Sequence, residues 1–216
     1  MSYRLDLRPG ECLMPTPSGV YHAACTTQPE RVQRLLFMLM EKERLARLDE
    51  TLVAAWARAL QAEPEELLGL LYTLQQAEFI ETLPRPPQAP SGALEKVLPP
   101  LLRQLSSTGC ALLTDRQGLY IANTGFTHET AEELSALGAD LAALHARHGY
   151  LINNNLGLRS NAWGLLFADG GSQLGFWSLN IGRTEFNLIV GGVPYLNQRA
   201  FRDLVWSLSW RYSQQS

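Results

Sequence analysis

"LLTDRQGLYIANTG", residues 112–125, decides how the fold is read. An Asp, an Arg, a Gly and a Tyr stand close together between apolar runs. An aspartate opening a turn accepts hydrogen bonds from backbone N–H groups two residues on, and a glycine closing it takes a backbone conformation that other residues resist. Asp115 and Gly118 fit those two places, which leaves Arg116 and Gln117 at an exposed tip. No base or nucleophile stands beside Asp115 in the sequence, so the stretch reads as a hairpin and not as an active-site loop.

Working outward, 109–115 and 118–123 are the two strands of that hairpin. The segment "LEKVLPPLLRQLSS" before it reads as a helix, with Pro99 and Pro100 expected to fall in its first turns or to break it there. A long helix is expected over 127–149, and strands over 161–168, 173–180 and 185–190. Asp169-Gly170-Gly171 is a hairpin signal, because glycine tolerates the positive φ of such turns. Gly182-Arg183 marks the next turn. Phe201, Leu204, Val205 and Leu208 give a final helix over 197–212 its apolar stripe. The order is α-β-β-α-β-β-β-α, an α+β pattern.

The hairpin and this order carry a family likeness. Asp115, Gly118, Ile121, Ala122 and Gly125 match an apolar strand, D-x-x-G, an apolar strand ending in I-A, and a small turn into a long helix. Residues 94–213 thereby resemble the roadblock family, the dynein-light-chain-like domains. The resemblance implies a five-stranded antiparallel sheet in a domain over 94–216. It also implies a homodimer formed through the long helix and the strand after it, and a small Ras-like GTPase as partner. Bacterial members that resemble the Mgl polarity system act as GTPase-activating partners. They adjust the GTPase's own catalytic residues and supply no arginine finger; Arg147, Arg159 and Arg183 are the exposed arginines that would break that rule. In a bacterial setting the resemblance implies cell polarity or type IV pilus motility. The long connection "HGYLINNNLGLRS", 148–160, and the N-terminal part depart from the simplest pattern.

The long helix holds two stripes of interest. Leu134, Leu137, Leu141 and Leu144 form a seam expected to pack on the sheet. Beside it lie Ala131, Ser135, Gly138 and Ala142, small residues over which another backbone can approach closely. This strip is read as the helix–helix contact of the dimer. A third stripe, Glu129, Glu133, Ala136, Asp140, Ala143 and Arg147, is expected to face solvent and to form the partner's docking platform.

A Pro-rich segment, 84–93, with Pro84, Pro86, Pro87 and Pro90, separates this half from residues 1–83 and reads as a semi-rigid spacer. The first 25 residues read as short strand-like pieces broken by Pro9-Gly10, Pro15, Pro17 and Gly19. Then come three helices: one opened by Thr27 and Pro29, one over 49–61, and one from Pro64. A strand over 78–83 follows. This order resembles winged-helix modules of the PqqD type, and raises the alternative of a DNA-binding transcriptional regulator. Against it, the presumed recognition helix "PEELLGLLYTLQQA" carries Glu65 and Glu66 and no basic residue, whereas phosphate contact needs Lys or Arg.

Bulk composition agrees. The chain has 216 residues, 46% of them hydrophobic, enough for a substantial core, and a net charge of −3, which gives no electrostatic reason to expect nucleic acid or an anionic membrane. No apolar run approaches a membrane span, and the first residues lack a signal peptide's apolar centre. Its three cysteines are odd in number and form no CxxC pair, which fits a reducing cytoplasm. His145 and His148 stand three apart without further ligands nearby, and no P-loop, G-x-S-x-G or dinucleotide fingerprint is present. The expectation is a non-enzymatic scaffold without metal or cofactor.

Overall fold

The structure is a computed structural model that describes residues 5–8, 11–26, 30–42 and 47–212. Its centre is the hairpin around Asp115, β3 (Ala111–Asp115) and β4 (Tyr120–Thr124). Asp115 Oδ1 accepts the N–H groups of Gln117 at 2.8 Å and Leu119 at 2.9 Å. Gly118 has φ +82°, and a Cβ there would stand 3.1 Å from the Ser135 carbonyl oxygen. Conformation and close packing both require glycine at that point.

Three more strands complete an antiparallel sheet: β5 (Ala162–Leu166), β6 (Ser172–Ile181) and β7 (Thr184–Gly191), in the order β4-β3-β7-β6-β5. The two remaining hairpins follow their sequence signals. Gly170 has φ +87° between β5 and β6, and Ile181 pairs with Thr184 across Gly182 and Arg183. With α5 (Leu94–Gln104) before the sheet, α6 (His128–Arg147) between β4 and β5, and α7 (Arg199–Tyr212) at the end, the element order is the one expected. A π-helical turn, Leu151–Asn155, occupies part of the long connection. Pro99 and Pro100 do not break α5; they fall near its first turns, inside the helix, at the exposed or half-buried side of a segment that buries Leu98 and Leu102. Burial of that face outweighs the lost N–H donors.

Alternation along the strands gives the sheet two apolar faces. Leu113, Leu188 and Trp177 lie in register on one face, in the same core as Leu98 and Leu102 of α5 and Phe201, Leu204 and Trp206 of α7. Leu112, Ile189, Phe176 and Trp163 lie in register on the other, packed with Ala131 of α6. Gly175 is required here because the Trp177 indole lies over it: a Cβ would meet that ring at 2.3 Å.

The N-terminal half runs β1 (Cys12–Pro15), α1 (Pro17–Ala24), α2 (Arg31–Met38), α3 (Glu50–Leu60), α4 (Pro64–Gln76) and β2 (Ile80–Leu83), with β2 antiparallel to β1. It therefore has one more helix than the three read from sequence. Pro17 and Gly19, taken there as breaks, stand in the first turn of α1: Thr16 Oγ1 caps it by accepting the Gly19 N–H at 3.1 Å, and Pro17 fills a first-turn position. Gly19 lets α1 lie against Phe79, whose carbonyl oxygen would be 2.0 Å from a Cβ. Helix α2 begins with Glu30 as its cap; Thr27 and Pro29, read as its start, lie outside the described residues, as do Pro9 and Gly10. Helices α2 to α4 bury Leu35, Leu36, Leu60, Leu67 and Leu71 in a core of their own. At about 1.5–3 kcal/mol for each buried leucine, that core gives this half much of its stability.

The halves are continuous in packing. Met14, Val20 and Ala24 belong to the same buried cluster as Leu98, Phe201 and Trp206. Trp206 Nε1 donates to the Lys42 carbonyl at 2.8 Å, and the buried Arg202 bonds Glu81 at 3.3 Å and Asp203 at 3.0 Å. The Pro-rich segment between them is tied down: Ala89 is buried, and Arg211 donates to the carbonyls of Pro90 and Gly92. No helix among the described residues is long and apolar enough to cross a membrane.

Candidate interaction surface

Helix α6 crosses one face of the sheet, and what each of its stripes touches differs from the sequence reading. Ala131, Ser135 and Gly138 are buried against the sheet of their own chain, and Ala142 is half-buried. A Cβ on Gly138 would stand 3.2 Å from Ile189 Cδ1 and 3.7 Å from Asn187 Cβ. The small strip is therefore taken up inside the protomer and is not available as a helix–helix contact. Its small side chains let the helix axis approach a flat sheet whose own residues are large. Ser135 hides its hydroxyl by donating to the Ala131 carbonyl at 2.6 Å.

Of the leucine seam, expected against the sheet, Leu134 and Leu141 pack beside Ala131, Phe176 and Ile189 as expected, and Leu137 and Leu144 are left over. Leu134 and Leu141 are half-buried, while Leu137 and Leu144 are 42% and 37% exposed. On a helix, residues advance by roughly 100° each, so this seam sits about a quarter turn from the sheet-facing strip. The side it faces follows from two contacts. Trp163 of β5 donates its Nε1–H to His145 Nδ1 at 3.2 Å, next to the seam. Gly118, at the far side of the sheet, instead meets Ser135 and Ala139. The seam thus overhangs β5.

Strand β5 is an edge strand, paired only to β6. Leu165, Leu166 and Phe167 on and just after it are 58%, 61% and 55% exposed. The apolar area continues into the connection before β5, where Tyr150, Leu151, Leu156 and Leu158 are exposed. An unpaired edge next to large apolar side chains is a surface that a partner covers in many proteins. The sequence signal for it was the unbroken "LLF" of 165–167: a half-buried strand alternates, and this run does not.

The third stripe lies where expected. Glu129, Glu133, Ala136, Asp140, Ala143 and Arg147 are all exposed, on the crest of α6 away from the sheet. Arg159 and Arg183 are exposed as well. Among the described residues no group of three or more His, Cys, Asp or Glu is placed to hold a metal ion. Burial lowers His145 below its ordinary value and keeps the ring neutral. The Cys25 thiol, desolvated in the core, is pushed up to about 12 and is no nucleophile at neutral pH. In the N-terminal half, α4 exposes Glu65 and Glu66, and Glu66 is paired with Arg31.

No protein-family model matches the chain, and no curated protein does. Among solved structures, it is similar to the Roadblock/LC7 domain from Streptomyces avermitilis, with 15% identity over 57% of this chain and 97% of that one and a TM-score of 0.36. Myxococcus xanthus MglB is 15% identical over 56% of this chain and 95% of its own, with a TM-score of 0.38. The gliding protein MglB of Thermus thermophilus is 19% identical over 59% of this chain and 96% of its own, also with a TM-score of 0.38.

Proposed function

We propose that the chain is a non-enzymatic scaffold that dimerises along the β5 edge and the leucine flank of α6, and that the dimer binds a small Ras-like GTPase. The observation that carries it is the exposure of the large apolar side chains Leu137, Leu144, Leu165, Leu166 and Phe167 beside unpaired strand backbone. Antiparallel pairing of β5 with its own copy satisfies that backbone and covers these side chains in one step. Such an interface is isologous, so each residue meets its counterpart across a two-fold axis.

The axis brings the two α6 crests onto one side. Ala136 and Ala143 between Glu133, Asp140 and Arg147 make a shallow platform with no large anchors of its own, so the anchors belong to the GTPase. GTPase activation through the GTPase's own residues, and a role in polarity or type IV pilus motility, are the finer terms of this reading. They rest on the roadblock resemblance of residues 94–213.

Light scattering tests the first part: Leu137→Glu with Leu166→Glu gives a folded monomer, and a wild-type chain that is monomeric at micromolar concentration refutes it. Calorimetry against the organism's Ras-like GTPase, loaded with a non-hydrolysable GTP analogue, tests the second. Ala136→Arg with Ala143→Glu abolishes binding and leaves the dimer intact. Unchanged binding by that variant removes the platform.

A further inference from the structure

A groove lies where the end of α1 and the start of α2 face the connection between α6 and β5. It has two lobes, of about 670 Å³ and about 740 Å³, which share Cys25, Thr26, Glu30 and Arg159 as a common wall. Each lobe falls in the range of small-molecule sites. The first is lined by Tyr21, Phe79 and Leu196, with His22 stacked on the Phe79 ring at 4.9 Å. The second is about evenly polar and apolar, with His145, Asn153 and Asn154 among its polar lining.

The second lobe holds a fixed donor. His145 is only 7% exposed, and its Nδ1 accepts the Trp163 indole N–H. In a neutral imidazole that leaves the proton on Nε2, and this N–H has no partner among the described residues. Burial, which lowers the ring's pKa, keeps it in that state. At the junction of the lobes stand an exposed cation and an exposed anion. Arg159 makes no ion pair among the described residues, and Glu30 is the carboxylate that lines both lobes with it.

We propose that this groove binds a small amino-acid-like zwitterion with an apolar side chain. Its carboxylate takes the Arg159 guanidinium and the His145 Nε2–H, its ammonium faces Glu30, and its side chain enters the lobe of Tyr21, Phe79 and Leu196. An anion alone sets a second negative charge beside the Glu30 carboxylate, and an apolar molecule alone leaves Arg159 and His145 without acceptors. A zwitterion answers all of these groups at once. The groove lies between the halves of one chain, so the site needs neither the dimer nor the GTPase.

The test is calorimetry of the full chain with L-phenylalanine, phenylalaninamide, which lacks the carboxylate, and N-acetyl-L-phenylalanine, which lacks the ammonium. L-phenylalanine binds saturably, and each analogue binds about tenfold more weakly, the loss that follows one charged hydrogen bond. Arg159→Gln weakens L-phenylalanine by a similar factor and erases its advantage over the amide. Glu30→Gln erases its advantage over the acetyl compound. Absence of saturable heat with L-phenylalanine overturns the proposal. So does a preference for the zwitterion that survives both substitutions.

Discussion

Gly138 separates the two ways of reading α6. If the small strip faced a second helix, a larger residue there would split a dimer and leave the protomer as stable as before. In the structure the site is closed by the chain's own sheet: a Cβ stands 3.2 Å from Ile189 Cδ1 and 3.7 Å from Asn187 Cβ. Ile189 is fully buried and has little room to retreat. For Gly138→Ala, a gain of about 1 kcal/mol in helix propensity opposes a crowding cost of about 1–3 kcal/mol, so the net change is small and unfavourable. For Gly138→Leu three more carbons enter the same closed space. Destabilisation then reaches about 3 kcal/mol or more, and for a chain of this size Tm falls by roughly 6–12 °C. The companion variant is Leu137→Glu, at a side chain already 42% exposed. It changes protomer stability by less than about 0.5 kcal/mol, as surface substitutions do. Urea denaturation gives the stabilities and light scattering the assembly state. A Gly138→Leu protein as stable as wild type, but dissociated, would refute the packing described here.

Other outcomes follow from burial and from the turn. Cys110 reacts with a thiol reagent in the native protein at pH 8, while Cys12 and Cys25, both buried, react only on unfolding; fast labelling of all three contradicts this. Cys25 titrates near 12 when folded and near 9.0 when unfolded, so its contribution to stability is complete below pH 9 and is lost as pH rises toward 12. Cys25→Ala therefore flattens the alkaline limb of a stability profile. His145 has the opposite sign: its folded pKa lies below 6.5, so stability is full above pH 6.5 and falls as pH drops through the folded value. A His145→Asn chain that loses as much stability between pH 7.5 and 5.5 as wild type would rule His145 out as the group responsible. Asp115→Ala removes the acceptor of two backbone N–H groups and costs about 1–3 kcal/mol, measured by denaturation.

How legible the fold was depends on how local its causes are. Asp115, Gly118, Gly170 and Gly182 each set a turn through their own backbone or side chain, so the hairpins and the order of 94–213 could be read directly. Helix α1 was missed because Thr16-Pro17 signals a helix start as well as a break, and only the eight residues after it decide. The continuous packing of the halves could not be read either. The contacts from Trp206 to Lys42 and from Arg202 to Glu81 span more than a hundred residues, and the proline content of 84–93 says nothing about them. On α6 the small strip, read as a dimer contact, lies against the chain's own sheet, and of the leucine seam read against the sheet only Leu134 and Leu141 join it there. A leucine repeat states that a face wants cover. It does not state whether the chain or a partner supplies it, and a small-residue strip states only that something comes close.

With the strip spent on the sheet, the leucine flank and the crest of Glu133, Ala136, Asp140 and Ala143 point in directions about a quarter turn apart. A neighbour on the flank, alongside β5, leaves the crest uncovered. The crest is acidic at Glu129, Glu133 and Asp140 and carries one cation, Arg147, near its C-terminal end, where a positive charge suits the helix dipole. An acidic crest favours a partner whose contacting surface is basic and speeds its encounter at low salt. The flank depends on apolar cover and is far less sensitive to salt. Raising ionic strength therefore weakens capture of a partner before it weakens association along β5. On the proposed reading the two functions of one helix are separable, because one face lies on the sheet, one on a second chain and one in water.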